Sequence, residues 1–330
     1  MINLTFYFGD RIGTLAERPS RKKNKSVSTN LAEKFKLHLA EAAAIHCMNK
    51  LKEYNIEVGS TFIIVDCGGG KTDLTTHRFL EDDKLDKIVV YRGDSCGGSF
   101  VDEEFLSFIS QKIGNSTLEE FRKDHYSQLQ YLCKNFVDAL KFRSLGKDQI
   151  ILHQLKSCPA IEKYIEGNEL ENMKEEEWIV ELEFKDVKAI FDPVVERIIQ
   201  LIKEQLEASE SVSMMMLIGG FSESIYLQNR ILQEFRRKLD NKISVPSQPI
   251  TAIEKGAVQF GLKDVIVNRR VLRWAYEILR KWTTKDPKKH RLPDGRIAYF
   301  DQLARFGDQI SVDYKVQKNY FPTDNYQNSS

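Results

Sequence analysis

Two segments of this chain are apolar without interruption, and each ends in glycine. Thr61-Phe-Ile-Ile-Val65 runs into Asp66-Cys-Gly-Gly-Gly-Lys-Thr72, and Met214-Met-Met-Leu-Ile218 runs into Gly219-Gly220. A strand that alternates apolar with polar residues has one wet face, whereas a strand that is apolar throughout must be covered on both. The chain therefore needs a buried sheet with layers packed against it, and the remaining segments supply helices. Leu31 to Tyr54 places Leu31, Phe35, Leu39, Ala42, Ala43, Cys47 and Leu51 at helical spacing, and Gly59 closes that helix. Residues 100 to 143 and Phe184 to Ala208 repeat the pattern, the second expected to be interrupted near Pro193. Strands alternating with helices define an α/β chain.

Around these landmarks the reading is coarser. Asp73 to Leu80 alternates, Asp82-Asp83 turns the chain and Ile88 to Tyr91 reads as a further strand, so the triple glycine opens a meander. Residues 145 to 185 mix short strand-like runs, Ile150 to Leu152 and Trp178 to Leu182, with charged turns, and read as a small β-containing insertion. A helix from Ser222 or Ser224 to about Leu239, another over Ala252 to Leu262, mixed β structure and a polar tail from Thr323 complete the chain. Residues 17 to 30 are polar and basic apart from Val27 and read as a flexible loop. Trp274 and Trp282 read as helix packing, and Met214 to Met216 as core rather than a soft-metal site. His46 and His77 have no ligand partner at metal spacing and read as packing or surface residues.

Composition narrows the classes of function. The 330 residues, 42% of them hydrophobic, suffice for one large domain or two modest ones. Lys plus Arg (49) nearly equals Asp plus Glu (48), which gives no global attraction to nucleic acid or to an anionic membrane. A charged ligand must therefore be held locally. Five scattered cysteines without a C-x-x-C pair fit neither a disulfide framework nor a thiolate metal site, and suit a reducing, cytoplasmic compartment. No stretch approaches the roughly 20 apolar residues that span a bilayer, and Met1 to Phe8 lacks the basic flank of a signal peptide.

Three glycine-rich segments are candidates for chemistry. In Asp66-x-Gly68-Gly69-Gly70-x-x-Asp73, bare amides can form an anion site and the flanking carboxylates suit water-mediated Mg²⁺, although a glycine-rich hairpin tip explains the glycines equally well. It is not a Walker loop, because the glycine spacing fails and a strand follows. Gly93-Asp-Ser-Cys-Gly97-Gly98-Ser99 leads into a helix whose first amides are candidates for an anion, or simply for capping. Gly219-Gly220-Phe221-Ser222 lets a flat base or ribose approach backbone, or else serves tight strand-helix packing.

In order and spacing the three resemble the nucleotide motifs of the actin and heat-shock ATPase superfamily. Asp66-Cys-Gly-Gly-Gly-Lys-Thr-Asp-Leu-Thr75 resembles its second phosphate motif, and Ile218-Gly-Gly-Phe-Ser-Glu-Ser224 its adenosine motif. Together with Phe191-Asp-Pro-Val-Val195 and Ala252-Ile-Glu-Lys-Gly-Ala-Val-Gln-Phe-Gly261, the set is most similar to a divergent branch of the heat shock protein 70 family, named after heat shock 70 kDa protein 12. The resemblance implies a two-lobed, ribonuclease H-like fold with ATP or ADP between the lobes, this chain carrying lobe II. It implies an N-terminal remnant with a flexible basic loop at 1–36, the last helix of lobe I at 37–60, and lobe II at 61–264 with an insertion at about 145–185. The start of a β-rich C-terminal segment and a polar tail follow at 265–330. On that reading Gly68, Gly69 and Gly70 lie against phosphates, beside Lys71 and Thr72, and Asp66 and Asp73 hold the water shell of Mg²⁺. Gly97 and Gly98 open the next helix, while Asp138, in place of a glutamate, and Lys141 lie in the adenosine-contacting helix. Gly219, Gly220, Phe221 and Ser222 flank adenosine. A cytoplasmic stress-response chaperone with an unfolded peptide or protein client is implied.

The chain also departs from the pattern. The superfamily's first phosphate motif, Asp-x-Gly-Thr on an early strand, does not occur in the 65 residues before Asp66. Most of lobe I is therefore expected to be missing, leaving an exposed lobe face prone to self-association. Leu39-Ala-Glu-Ala-Ala-Ala-Ile45 resembles the family's Glu-Pro-x-Ala-Ala-Ala-Ile with Leu39 at the acid-base glutamate and Ala40 at the proline. Lys71 stands where a threonine is usual, and as a hairpin-tip residue is expected to point to solvent. The expectation is nucleotide binding with impaired hydrolysis; the alternative is an inactive paralogue acting as an interaction module.

Overall fold

The computed structural model describes residues 2–8, 41–48, 51, 53–141, 150–262, 267–272, 276–281, 288, 296–311 and 314–320. The basic loop at 17–30, Leu39, Ala40 and the polar tail lie outside the described residues. The first half comprises β1 (Ile2–Phe8), α1 (residues 41–48), β2 (Thr61–Cys67), β3 (Thr72–Phe79), β4 (Leu85–Asp94), α2 (Gly98–Ile113), α3 (Asn115–Asp124) and α4 (Tyr126–Lys141). The second comprises β5 (Ile151–Gln154), α5 (Gly167–Glu175), β6 (Ile179–Leu182), α6 (Phe184–Glu207), β7 (Val212–Ile218), α7 (Ile225–Phe235), β8 (Ile243–Ser244) and α8 (Ala252–Leu262). Five strands follow: β9 (Val267–Val271), β10 (Tyr276–Lys281), β11 (Arg296–Ala304), β12 (Gln309–Ser311) and β13 (Tyr314–Tyr320).

Seven strands form one mixed sheet in the order β12-β9-β4-β3-β2-β7-β8. β4, β3 and β2 are the antiparallel meander, β7 joins β2 in parallel and β8 joins β7 in parallel. β9 lies parallel to β4 and carries β12 antiparallel on its outer side. Three two-stranded ribbons, β1-β13, β10-β11 and β5-β6, stand apart from this sheet, the last being the strand pair of the 145–185 region.

The two uninterrupted apolar runs occupy adjacent central strands, and their period of two divides them between two cores. Ile63 and Val65 of β2, with Met215 and Leu217 of β7, pack against Val101 and Phe105 of α2, Phe136 of α4 and Ile198 of α6. Phe62 and Ile64, with Met214, Met216 and Ile218, pack on the other side against Ala43, Ala44 and Cys47 of α1 and Ala252 of α8. Full burial of one such side chain is worth about 1.5–3 kcal/mol, so neither face tolerates a polar substitution. The second layer is tight: a Cβ added at Gly256 of α8 would stand 1.7 Å from the Ala42 carbonyl oxygen. Glu41 of α1 and Arg270 of β9, both buried, form a two-pronged ion pair at 2.7 and 2.9 Å that fastens β9, next to the sheet's edge, to this layer.

Two expectations change and one is resolved more finely. α6 is continuous from Phe184 to Glu207 with Pro193 inside it. Proline there forfeits an N–H and crowds the carbonyl of Ala189, a cost of about 3 kcal/mol. The buried stripe Val187, Ile190, Val194, Val195, Ile198 and Ile202 outweighs it, since each residue returns about 1.5–3 kcal/mol on burial. The helical region 100–143 is three helices, because Gly114 adopts a φ of 92° and His125 leaves helical geometry. Tyr276–Lys281, which falls between Trp274 and Trp282, is a strand and not a helix; the two tryptophans lie outside the described residues.

Candidate functional site

β2 and β3 meet at the triple glycine with Asp66 directly opposite Asp73 and Cys67 opposite Thr72. Two like charges in register repel. Burial, reinforced by Asp73, pushes the Asp66 carboxyl up to about 6, so burial and repulsion together outweigh whatever positive charge the described residues bring to this acid. The turn is closed by the Gly68 N–H donating to the Lys71 carbonyl at 2.9 Å.

The start of α2 braces this turn. The Gly98 N–H donates to the Gly68 carbonyl at 3.1 Å, and the Ser99 N–H and Oγ donate to the Gly69 carbonyl at 2.8 and 2.9 Å. The Thr72 hydroxyl donates to the Cys96 carbonyl at 2.6 Å. Gly97 is demanded by this contact, because a Cβ there would stand 2.3 Å from the Gly69 oxygen. The helix-start amides that the sequence offers to an anion are thus spent on the turn. The consequence falls on the turn instead. A trans peptide holds C=O and N–H antiparallel, so carbonyls of Gly68 and Gly69 fixed toward α2 direct the N–H groups of Gly69 and Gly70 away from it. Among the described residues neither amide donates a hydrogen bond. Nothing in the fold requires glycine at 69 or 70 either, since neither has a positive φ and nothing lies within 4 Å of a Cβ built on them.

β7 brings the second glycine pair against the first. Gly219 has a φ of +85°, and a Cβ there would meet both Asp66 Oδ1 and the Cys67 carbonyl oxygen at 2.5 Å. Ser222 Oγ donates to the Ile218 carbonyl at 2.6 Å, and Ser224 caps α7 by accepting from the Leu227 N–H at 3.4 Å. Half-buried Phe221 lies across Gly98, its ring 3.4 Å from where a Cβ would be, and stacks on Phe191 of α6 with centroids 6.4 Å apart.

Asp66, Gly68, Gly69, Gly98, Gly219, Gly220 and Phe221 line one cleft of about 670 Å³. The other residues singled out from the sequence sit around it. Thr72, Gly97 and Ser222 are buried behind the wall, and Gly70 and Lys71 are exposed at the hairpin tip, outside the cleft lining. Asp73 stands beside Asp66 on β3. Asp138 and Lys141 occupy the end of α4, and their side chains lie outside the described residues. Gln130, Cys133 and Lys134 of α4 and Phe191 of α6 also line the cleft and were not singled out. The i, i+3, i+4 spacing of the first three, and the position of Phe191 in the Phe-Asp-Pro-Val-Val segment, are the signals that would have found them.

Among the described residues, no group of three or more His, Cys, Asp or Glu is placed to hold a metal ion. Two adjacent carboxylates at the turn are of the chemical type that suits Mg²⁺ through its water shell. His77 is core: it is fully buried, stacked on Phe62, and held neutral with its pKa pushed down to about 3 by burial and by Lys87. All five cysteines are buried as free thiols. Among the described residues, no helix is long and apolar enough to cross a membrane.

A mixed central sheet flanked by helices, with a glycine turn and a Gly-Gly loop meeting at one cleft, is compatible with an actin-like ATPase-type fold. Known proteins agree. The chain is 24% identical over 288 residues to heat shock 70 kDa protein 12A of Mus musculus and of Homo sapiens, and 24% identical over 289 residues to heat shock 70 kDa protein 12B of Homo sapiens. It is a divergent relative of these heat shock 70 kDa 12 proteins. Each match covers 81% of this chain and 42% of the relative, so the chain spans less than half the length of the proteins it matches. No protein-family profile matches it.

Proposed function

We propose that the cleft binds ATP or ADP with Mg²⁺, as the nucleotide-binding part of a chaperone-type, heat-shock-70-like protein. Gly69, which lines the cleft, carries the reading together with Gly70 beside it at the turn. They lack side chains where the fold itself would accept one, and their amides point away from α2 without a partner among the described residues. Glycine costs chain entropy, so its use there is explained by close approach of a ligand whose oxygens accept hydrogen bonds. Asp66 and Asp73 would hold Mg²⁺ through its waters; when bound, the ion neutralises phosphate charge. In this reading residues 61–264 form lobe II and residues 37–60 the last helix of lobe I.

Binding, not turnover, is the activity proposed for these residues. Leu39 stands where the family's acid-base glutamate is expected, and an aliphatic side chain can neither take nor give a proton there, while phosphoryl transfer draws its rate from electrostatic contacts around the transferred group. Calorimetric titration of MgATP and MgADP tests the reading, with Gly69→Ala/Gly70→Ala and Asp66→Asn/Asp73→Asn as variants. Because no atom lies within 4 Å of the added methyl groups, the glycine variant should fold as the parent does and bind at least about tenfold more weakly, or about 1.4 kcal/mol. Unchanged affinity in that variant sinks the phosphate turn. Absence of any binding at millimolar nucleotide makes the motifs inherited scaffold and favours an interaction module.

A further inference from the structure

Charge is spread unevenly over the outer elements, and two groups of opposite sign lie at opposite ends of α6. The first follows α5. Glu175, Glu176 and Glu177 come in succession there, in a turn held by buried Trp178, whose N–H donates to the Met173 carbonyl at 2.8 Å. On the outer face of the β5–β6 ribbon, Leu152 is 62% exposed and stands directly opposite Glu181. With Ile179 these residues line a groove of about 490 Å³, to which α2 adds Lys112. Four carboxylates against one ammonium repel one another, and the negative end of the α5 dipole adds to the repulsion. Lys174 is the cation of that last turn, and among the described residues none of the four glutamates forms an ion pair.

The opposite sign gathers at the end of α7. Arg236, Arg237 and Lys238 follow its last residue and are all exposed, Lys242 comes next, and Asp240 is the single acid among them. Leu232, one helical turn before Arg236, is 36% exposed. Among the described residues none of these cations forms an ion pair. α7 runs beside α6 in the same direction, since Tyr226 and Arg230 meet Asp192 and Glu196 while Glu234 pairs with Lys203 at 2.6 Å. β6 enters α6 at its first turn, whereas the basic turn adjoins its C-terminal end. At about 1.5 Å per residue, roughly 30 Å of helix separates the two groups. That exceeds the Debye length of about 10 Å at 0.1 M salt, so they do not neutralise each other within one chain. Between two chains they can touch, with Leu152 and Leu232 as the apolar centre of a charged contact.

We propose that copies of this chain dock head to tail, the basic turn at residues 236–238 of one seated against the acidic groove at residues 175–181 of the next. The surfaces that meet are different, so the contact is heterologous and either continues from copy to copy or closes into a ring. Neither group lines the nucleotide cleft, so this contact is independent of nucleotide binding. Sedimentation velocity on the full chain tests it at about 0.05 M and about 0.5 M sodium chloride, which bracket weak and strong screening. One variant carries Glu175→Lys, Glu176→Lys and Glu177→Lys, the other Arg236→Glu, Arg237→Glu and Lys238→Glu. All six side chains are exposed, so both variants should fold, which melting curves check. The expected result is association of the parent that weakens about tenfold or more at the higher salt and by at least as much in either variant alone, and that returns when the two variants are mixed, because reversed groove then meets reversed turn. A parent that stays monomeric at low salt overturns the proposal, as does association that neither salt nor the variants weaken. Loss in the groove variant alone overturns it by giving the groove a different occupant, and loss in both without recovery in the mixture overturns it by showing that the two groups do not meet.

Discussion

Gly219 and Gly70 are both glycines of the candidate motifs, yet the structure gives them opposite roles. Gly219 combines a φ of +85° with two contacts at 2.5 Å for any Cβ, whereas Gly70 has neither. Gly219→Ala should destabilise the fold by about 2–3 kcal/mol and Gly70→Ala by less than about 0.5 kcal/mol in denaturant melts. Equal effects would refute this division between structural and ligand-facing glycines. Sequence composition marked both positions but held no sign of the difference, because it depends on which atoms of Asp66 and Cys67 lie opposite. The histidines carry a second prediction. Burial, helped by Lys87, pushes His77 down to about 3, and burial pushes His153 down to about 4. Both are neutral in the fold and take a proton near pH 6.5 once unfolded. Their contribution is therefore complete above pH 6.5 and lost as pH falls toward 4, about 2 kcal/mol each at pH 5. Asp66, raised to about 6, runs the other way and offsets about 1 kcal/mol of this. The urea midpoint should drop between pH 7.5 and pH 5 in the parent and drop by visibly less in His153→Gln.

Secondary structure was most legible where burial is two-sided. β2 and β7 could be placed from apolar continuity alone, and α8 from its period, because nothing else competes for such segments. Pro193 misled for the converse reason: local propensity argued for a break, and only the tertiary stripe of α6 shows why the helix continues. The cleft's glycine elements were visible as composition, while its α4 and α6 walls were not, since their residues are ordinary until the helices are packed. The tie between β9 and α1 was also invisible, as Glu41 and Arg270 are 229 residues apart. Its energetics give a sharp test. Glu41→Gln leaves the Arg270 guanidinium without its two-pronged carboxylate and should cost about 3–5 kcal/mol, whereas Glu41→Leu combined with Arg270→Met should come out near neutral. A double-mutant cycle showing additive losses would remove the pair from its role in anchoring β9.

At the scale of the molecule, the apolar surface left outside the two cores decides how copies behave toward one another. Val58, Ile250 and Val258 are 52%, 58% and 65% exposed. Val58 follows α1, Ile250 immediately precedes α8, and Val258 lies on α8, so all three belong to the elements flanking the second core. A soluble monomer seldom leaves several large apolar side chains exposed on neighbouring elements, because each is worth roughly a kilocalorie per mole or more when covered. Near-zero net charge adds no repulsion to oppose association, with Lys plus Arg at 49 against Asp plus Glu at 48. Self-association through the α1–α8 side is the expected outcome. Sedimentation velocity should show the weight-average coefficient rising with concentration for the parent and rising less for Val258→Glu, a residue that does not line the cleft, with nucleotide affinity unchanged in that variant. A single monomer species at every concentration would mean that these side chains are tolerated as solvated surface; association untouched by Val258→Glu would place the contact elsewhere.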